Sequence, residues 1–266
     1  MFATRHGKQH QAAGPFRELL DARVVAPDGL DTDRFGSFTG EVPRTRTPRD
    51  TALAEARLGV DETGHRFALA SEATVTSSWT TSVHHELLLF LDDDRGVVLT
   101  EEAVVPVHGH DPVVLRDPAD ALERARRFGF PDTRAVVVAR HGGDVHARKG
   151  LATAADLADA VTDLTTTGGT ASVGPDLRAH VNPARQRVIA ELCRRMATRL
   201  TRPCPRYAAP GWGRVGVERG VPCAGCGAPT TAVAADVLGC AGCDATQVVP
   251  RRAAPVDPAS CDVCNP

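Results

Sequence analysis

Paired cysteines near the C-terminus constrain the fold of this chain more than any other sequence feature. Six of the eight cysteines in the 266 residues stand in three CxxC pairs, Cys223/Cys226, Cys240/Cys243 and Cys261/Cys264. The segment that carries them is rich in Gly and Pro and has few large apolar residues, so core burial alone cannot hold it and it needs a cross-link. Because the first residues lack the apolar stretch of a signal peptide, this pattern favours metal over disulfides.

The first two pairs predict a zinc ribbon. Thirteen residues separate Cys226 from Cys240, which lets two tight turns bring Cys223, Cys226, Cys240 and Cys243 around one tetrahedral ion. Four thiolates at about 2.3 Å close the shell of a structural Zn²⁺ and leave no open position for catalysis. Binding energies of about 10–16 kcal/mol can fold a short segment, so we favour zinc over a redox dithiol.

The remaining cysteines predict an incomplete second site. Cys261 and Cys264 have only Cys204 nearby, and Tyr207 stands where a further CxxC pair would place its second cysteine. A different pairing, of Cys240/Cys243 with Cys261/Cys264, is also geometrically possible.

The rest of the sequence predicts an α/β fold, a layered mixed-sheet domain over residues 1–202, followed by the cysteine-rich module over 203–266. Apolar strand candidates alternate with helix candidates; the strands are 2–4, 24–25, 66–72, 86–91, 97–107 and 135–139, and the helices are 15–22, 47–58, 117–127, 154–164 and 183–200. A long polar loop, 28–47, and a Gly/Thr-rich linker, 165–174, interrupt the pattern. Net charge is −2 and no apolar run could span a bilayer, so we expect a cytoplasmic protein without a membrane partner; the sequence does not indicate its oligomeric state.

Polar residues in the predicted loops suit phosphate chemistry. His6 and Lys8 follow the first strand, at the end where α/β folds bind ligands. Carboxylates that could hold Mg²⁺ through oxygen ligands come from the long loop and from the end of a later strand; they are Asp31, Asp33, Glu41 and Glu72. Positioning and charge neutralisation supply most of the catalysis of phosphoryl transfer, whereas no nucleophile elbow, P-loop or dinucleotide-binding fingerprint is present.

The segment before the last long helix is a second candidate for this site. Asp176, Arg178, His180 and Asn182 alternate, so in an extended chain they point to one side. They lead into a helix N-terminus that favours anions, where Arg178 and Arg185 could clamp a phosphate or carboxylate. A capped helix with local salt bridges explains the same residues equally well.

These residues give one enzymatic and one non-enzymatic hypothesis. The first is a divalent-metal-dependent hydrolase of a nucleotide or other phosphorylated small molecule, with catalytic roles for His6, Lys8, Glu72, Arg178 and His180. The second is a zinc-ribbon module that contacts nucleic acid or protein, helped by the basic helix 183–200 with its Arg187, Arg194, Arg195 and Arg199. A solvated helix face is the simpler reading of those arginines.

Several segments together resemble a bacterial family classed as a domain of unknown function with a cysteine-rich C-terminus. They are residues 3–8, 31–41, 69–72 and 176–185 and the closing Cys261-Asp262-Val263-Cys264-Asn265-Pro266. The resemblance covers nearly the whole chain and implies an architecture, not an activity. The family carries a CPxC where this chain has Cys204-Pro205-Arg206-Tyr207. Residues 3–8 also resemble the opening turn of the pyrophosphatases that hydrolyse non-standard nucleoside triphosphates, which place a metal-binding acid near the position of Glu72.

Overall fold

A computed structural model describes residues 1–77, 82–107, 115, 117–141, 143–165 and 170–266 of the chain. The helices are α1 (Gln9–Leu20), α2 (Pro48–Thr63), α3 (Pro118–Arg127), α4 (Ala154–Thr165) and α5 (Pro183–Leu200). The strands are β1 (Phe67–Ser77), β2 (Ser82–Asp92), β3 (Val97–Val107), β4 (Ala135–His141), β5 (Asp144–Leu151), β6 (Thr170–Pro175), β7 (Gly213–Arg219), β8 (Val233–Gly239) and β9 (Thr246–Pro250). The predicted α/β class is therefore confirmed.

The strands form three antiparallel sheets within the described residues, in the orders β1-β2-β3, β5-β4-β6 and β7-β8-β9. Phe2 adds a parallel bridge to Leu69 of β1, so pairing at the edge of the first sheet is mixed. The chain divides into two compact units, Met1–Ala197 with the first two sheets and Thr198–Pro266 with the third.

Helix α2 shows how local sequence positions one wall of the first unit. Thr47 caps its N-terminus by accepting a hydrogen bond from the Asp50 amide at 3.2 Å, and Pro48 occupies the first helical position. Gly64, at a φ of 67°, ends the helix and donates to the Val60 carbonyl at 2.8 Å. The predicted start at Thr47 is confirmed, and the helix extends one turn beyond the predicted end.

The central strand β2 is buried on both faces because helices cover both. Leu87, Leu89 and Leu91 pack into one core cluster with Ala52 and Ala56 of α2. The residues between them point to the opposite side of the sheet, where Glu86 reaches Arg185 of α5. Each buried leucine contributes about 1.5–3 kcal/mol, so this strand anchors the first sheet between two helical layers.

The second sheet has its own helical cover. Helices α3 and α4 pack on β4 through Ala121, Leu157 and Val161, against Val137 and Ala139. This half of the unit differs from the sequence-based prediction in two elements. The polar residues after β4 form the strand β5, and β6 occupies the second half of the predicted linker, whose residues 166–169 lie outside the described part of the chain.

Two further predictions were wrong near the N-terminus. Helix α1 begins at Gln9 and not near Pro15, which lies inside the helix. Val24 and Val25 form no strand, although the Val25 carbonyl accepts a hydrogen bond from Phe2 at 2.7 Å. Among the helices described, none has the length and apolarity needed to cross a membrane.

Candidate functional site

A polar cleft of about 400 Å³ lies in the first unit. Its walls come from the segment before α1, the loop after it, the middle of α2 and of β1, and the stretch from β4 to α5. Sequence-predicted residues that line it are His6, Lys8, Asp33, Glu41, Glu72, Asp176, Arg178 and Arg185. The structure thus brings most of the predicted site residues together, while their roles stay predictions.

Arg185, which lines the cleft, belongs to a buried ion pair that lies behind it. Glu86 accepts hydrogen bonds from Arg185 Nε at 2.8 Å and Nη2 at 3.0 Å, and lies 2.9 Å from His84 Nε2. Burial would raise the pKa of Glu86, but the charge of Arg185 and the hydrogen bonds from His84 and Arg185 outweigh it and lower that pKa to about 2. Arg185 also donates from Nη1 to the Leu177 carbonyl at 2.5 Å, which fixes the turn that leads into α5.

Phe38 connects this buried pair to the open part of the cleft. The guanidinium carbons of Arg44 and Arg185 lie 4.1 Å and 5.1 Å from the centroid of its ring. Such contacts contribute about 0.5–2 kcal/mol each, the more so when desolvated. Arg44 is held further by donating to the Ala73 carbonyl at 2.6 Å. Two cations are therefore locked in position beside an aromatic face.

A pair of carboxylates faces these cations. Glu55 of α2 is only 3% exposed, and its Oε2 has no hydrogen-bond partner among the described residues. Burial, followed by the negative charge of Glu72, raises the pKa of Glu55 well above its usual range, and Lys8 opposes this shift. Glu72 lies 3.7 Å from Arg44 Nη2. An orphaned buried oxygen is rare because it costs about 1–3 kcal/mol, so this oxygen is a point where a proton or a cation could bind.

Lys8 supports the same corner of the cleft. Its side chain is buried, and Nζ donates to the Ser71 carbonyl at 2.5 Å. Burial of a lysine is unusual unless the charge has partners, and Lys8 gains them from the backbone of β1 and the nearby carboxylates.

The acids of the long loop have basic partners. Asp33 accepts hydrogen bonds from His6 Nε2 at 2.9 Å and from Arg5 at 3.4 Å, and Glu41 pairs with Lys149. Asp31 lies 3.1 Å from Arg5 and does not line the described cleft. Within the described residues, groups of three or more closely spaced potential metal ligands consist of cysteines, so these acids do not meet as one ligand set.

The segment before α5 has features of both predictions made from its sequence, a capped helix with local salt bridges and a wall of a polar site. Asn182 caps the helix by accepting a hydrogen bond from the Arg185 amide at 3.0 Å. Asp176 binds Arg178, with Oδ2 and Nη2 2.6 Å apart, and accepts from the Gly150 amide at 2.9 Å. The local salt bridge and the cap are therefore present, and Asp176, Arg178 and Arg185 also line the cleft.

Two histidines stack at the edge of this segment. The rings of His6 and His180 lie 5.2 Å apart between centroids and are inclined by 19°. Burial, then the positive charges of His6 and Arg178, lower the pKa of His180. His180 is therefore next to the cleft through His6, although it does not line it.

In the second unit, four cysteines form one cluster. Cys223 and Cys264 lie 3.8 Å apart at their sulfurs, and Cys226 and Cys261 lie 3.7 Å apart. Four sulfurs bound at about 2.3 Å to a tetrahedral ion would be about 3.8 Å from one another, whereas a disulfide needs about 2.05 Å. The four cysteines could therefore hold a metal ion, and their sulfurs are too far apart for disulfides.

The predicted grouping of Cys223/Cys226 with Cys240/Cys243 was wrong. Between the two pairs lies β8, and an extended strand of its length carries the chain about 20 Å away. The C-terminal segment returns to the first pair, because Val256 forms a parallel bridge with Cys223.

Cys240 and Cys243 instead join Cys204 at the opposite end of the third sheet. The sulfurs of Cys204 and Cys243 lie 3.8 Å apart, and the three ligand atoms are all within 4.8 Å of one another. An incomplete second group is present as predicted, but with other partners. Cys193 is outside both groups; it is fully buried in α5, and burial raises its pKa to about 12.

A family model described as "Domain of unknown function (DUF6671)" matches residues 55–266. The chain belongs to this family. The match takes in both cysteine groups and begins at Glu55, so the segment with His6 and Lys8 and the long loop precede the matched range. No curated protein and no solved structure matched the chain.

Sequence reasoning missed Arg44, Glu55 and Arg140, which line the cleft, and Glu86, which pairs with Arg185 behind it. Glu55 is spaced so that it lies on the same buried face of α2 as Ala52 and Ala56. A carboxylate on an otherwise apolar helix face is the signal that could have identified it. Glu86 stands in a strand that reads as apolar, and its partner is 99 residues away, so no local pattern could reveal the pair.

Proposed function

We propose that the cleft is the active site of a divalent-metal-dependent hydrolase that acts on a nucleotide or another phosphorylated small molecule. The observation that carries this proposal is Glu55, a buried carboxylate with an orphaned oxygen beside Glu72, in a cleft lined by cations. Removing water from two neighbouring carboxylates is unfavourable unless a proton or a cation neutralises them.

In this proposal Glu55 and Glu72 hold the ion, in place of the loop acids. Mg²⁺ is commonly bound by one or two carboxylates, with water and substrate phosphates completing its octahedral shell. Asp33 and Glu41 already have His6 and Lys149 as partners, whereas Oε2 of Glu55 has none among the described residues. When bound, the ion would neutralise charge on the phosphoryl oxygens.

The cations of the cleft would bind the phosphates. Lys8, Arg44 and Arg178 are held by backbone or acidic partners, so they are preorganised and lose little side-chain entropy on binding. Charge-assisted contacts of this kind position a phosphate and stabilise its transition state. Lys149 and Arg140 extend the basic lining toward the open side.

His6 is the candidate base. Asp33 is 2.9 Å from Nε2, and if Nε2 carries the proton that Asp33 accepts, Nδ1 is the basic atom. It would take a proton from the water that attacks phosphorus as the P–O bond to the leaving group breaks; a phosphate would leave as an anion toward the cations, and an alkoxide would take its proton from water. Orientation of a base by a carboxylate is the arrangement used by many hydrolytic sites.

The proposal is tested by screening purified protein with Mg²⁺ or Mn²⁺ against a panel of nucleotides and sugar phosphates. Phosphate release that falls at least 100-fold in Lys8→Ala, Glu55→Gln and Glu72→Ala would support it. Glu62→Gln, an exposed position on the same helix as Glu55, is the matched control. Turnover of no substrate, or site variants as active as wild type, would refute the proposal.

The alternative of a nucleic-acid or protein-binding module gains less support. Arg195 of the basic helix donates to Glu101 at 2.7 Å, and Arg194 lies 3.6 Å from Glu18. These pairs reduce the charge available for phosphate backbones. Nucleic-acid binding at low salt that disappears in Arg194→Ala/Arg195→Ala would revive the hypothesis.

We also propose that the cluster of Cys223, Cys226, Cys261 and Cys264 holds a structural Zn²⁺. The sulfur spacings of 3.7–3.8 Å fit a closed tetrahedral shell, and four thiolates select soft metals. The cytoplasm, which keeps thiols reduced, is the compartment that suits such a site. Metal analysis of the purified protein should find zinc, and the zinc content per chain should fall in Cys264→Ser.

A further inference from the structure

Two turns of the second unit share one backbone design although their sequences differ. The turn at Cys204 is closed by a Cys204 amide bond to the Ala209 carbonyl at 2.8 Å, and the turn at Cys223 by a bond to the Ala228 carbonyl at 2.9 Å. Flanking prolines pair in the same way in both turns, Pro203 with Pro210 and Pro222 with Pro229.

The correspondence extends to the residue after each turn. Ala208 has a φ of 57° where the other turn has Gly227 at 75°, and this left-handed conformation is uncommon for alanine. Each of these residues donates its amide to the carbonyl of the cysteine that opens the turn, Cys204 or Cys223, at 2.8 and 3.0 Å. Tyr207 therefore stands in the structural position of Cys226, a ligand of the complete cluster.

The three sulfurs of this second group are arranged for a metal. Cys204 and Cys243 have the sulfur spacing expected around a tetrahedral ion, 3.8 Å. Backbone amides donate to two of the sulfurs at 3.3 Å, from Tyr207 to Cys204 and from Gly242 to Cys240. The same bond, from Gly225 to Cys223 at 3.3 Å, occurs in the complete cluster, and such bonds stabilise thiolates.

The fourth position has no protein ligand among the described residues. The group contains only Cys204, Cys240 and Cys243, and the nearby Asp244 pairs with Arg206 at 2.8 Å. Tyr207 is 59% exposed. A Cβ placed on Gly242 would lie 3.4 Å from Tyr207 Cε1, so the ring rests against the turn that carries Cys240 and Cys243.

We propose that Cys204, Cys240 and Cys243 bind a second Zn²⁺ whose fourth ligand comes from solvent, and that this position accepts an exogenous thiolate. Three protein ligands plus an exchangeable one are typical of open zinc sites, and a sulfur-rich shell favours a soft fourth donor. The chain would then carry one closed ion and one exchangeable ion at opposite ends of the third sheet. This inference does not depend on the function proposed for the cleft.

The test is metal titration of the full chain, with Zn²⁺ competition against a chromophoric chelator and Co²⁺ as a spectroscopic probe. Wild type should bind two ions per chain, and the chelator should remove one of them much faster than the other. Adding 2-mercaptoethanol should shift the Co²⁺ absorption of the second ion toward that of four-sulfur coordination.

Three variants separate the sites without relying on loss of folding. Tyr207→Cys restores a CxxC pair, so it should tighten the second ion by about tenfold or more, slow its release and remove the response to 2-mercaptoethanol. Cys204→Ser should lose only the exchangeable ion, and Cys264→Ser should weaken the other one.

Three results would overturn the inference. They are a single ion per chain that Cys204→Ser leaves unchanged, two ions of equal affinity in wild type, and a Co²⁺ spectrum that 2-mercaptoethanol does not alter. Tyr207→Cys binding the second ion no more tightly than wild type would also contradict it, because the missing ligand is the basis of the proposal.

Discussion

Replacement of Glu86 by glutamine tests the buried ion pair behind the cleft. Glu86→Gln keeps the size of the side chain and one acceptor for Arg185, but it removes the counter-charge that is hydrogen-bonded to that buried guanidinium. Relative to its ordinary value of 4.5, a Glu86 pKa of about 2 corresponds to about 3 kcal/mol of stability at neutral pH. Breaking a buried pair costs a similar 3–5 kcal/mol. We therefore expect the first unit to lose about 3 kcal/mol at pH 7.

The pH dependence gives this prediction a second measure. Because the folded-state pKa is lowered, the contribution is complete above pH 4.5 and is lost as the pH falls toward 2. At pH 3 about 2 kcal/mol of it is gone, so wild type and Glu86→Gln should differ by only about 1 kcal/mol.

Amide hydrogen exchange of the β2 segment in urea, read by mass spectrometry, measures this unit separately from the cysteine unit. Glu62→Gln, which is exposed, should change stability by less than about 0.5 kcal/mol. Equal stability of Glu86→Gln and wild type at pH 7, or a difference as large at pH 3 as at pH 7, would refute the reasoning.

Three further predictions concern the cleft, the last helix and the cysteine unit. Glu55→Gln should stabilise metal-free protein by about 1–3 kcal/mol in thermal melts, because it removes an acid whose ionisation is disfavoured by burial and by the charge of Glu72; a loss of stability would contradict this interpretation of Glu55. Asn182→Ala should cost about 1–2 kcal/mol in urea unfolding, since it removes the cap of α5 and a bond to the Asp176 carbonyl, and no change would show that the cap is dispensable. Excess chelator should abolish exchange protection of 213–250 while β2 keeps its protection; survival of the third sheet without metal would disprove its dependence on the ion.

Local sequence patterns predicted the elements whose signals lie within one turn or one strand. Thr47, Pro48 and Asp117 mark helix starts through capping, and the structure confirms α2 and α3 there. Strand β5 was missed because its alternation of polar and apolar residues ends at Arg148 and none of its residues is buried. Its existence depends on pairing with β4, which is a tertiary contact.

The residues of the candidate sites also fall into those that the sequence alone could reveal and those that it could not. Lys8, Glu72 and Arg178 could be found because each is a polar residue next to or at the end of a predicted element, and the structure places all three around one cleft, although Glu72 lies inside the longer β1. The cysteine pairing could not be found, since the spacing between pairs allows several groupings. The path of β7, β8 and β9 decides between them by returning Cys261 and Cys264 to Cys223.

The walls of the cleft come from regions far apart in the chain, with Lys8 before α1, Glu55 on α2 and Arg178 before α5. A compound that bridges them binds the folded state and not the unfolded one, so it shifts the unfolding equilibrium by an amount that depends only on its concentration and affinity. At 100 times its dissociation constant the gain is about 2.7 kcal/mol. Melting-temperature shifts across a metabolite collection can therefore identify the natural ligand before any reaction is known, and Glu55→Gln or Lys8→Ala would show whether each hit occupies this cleft.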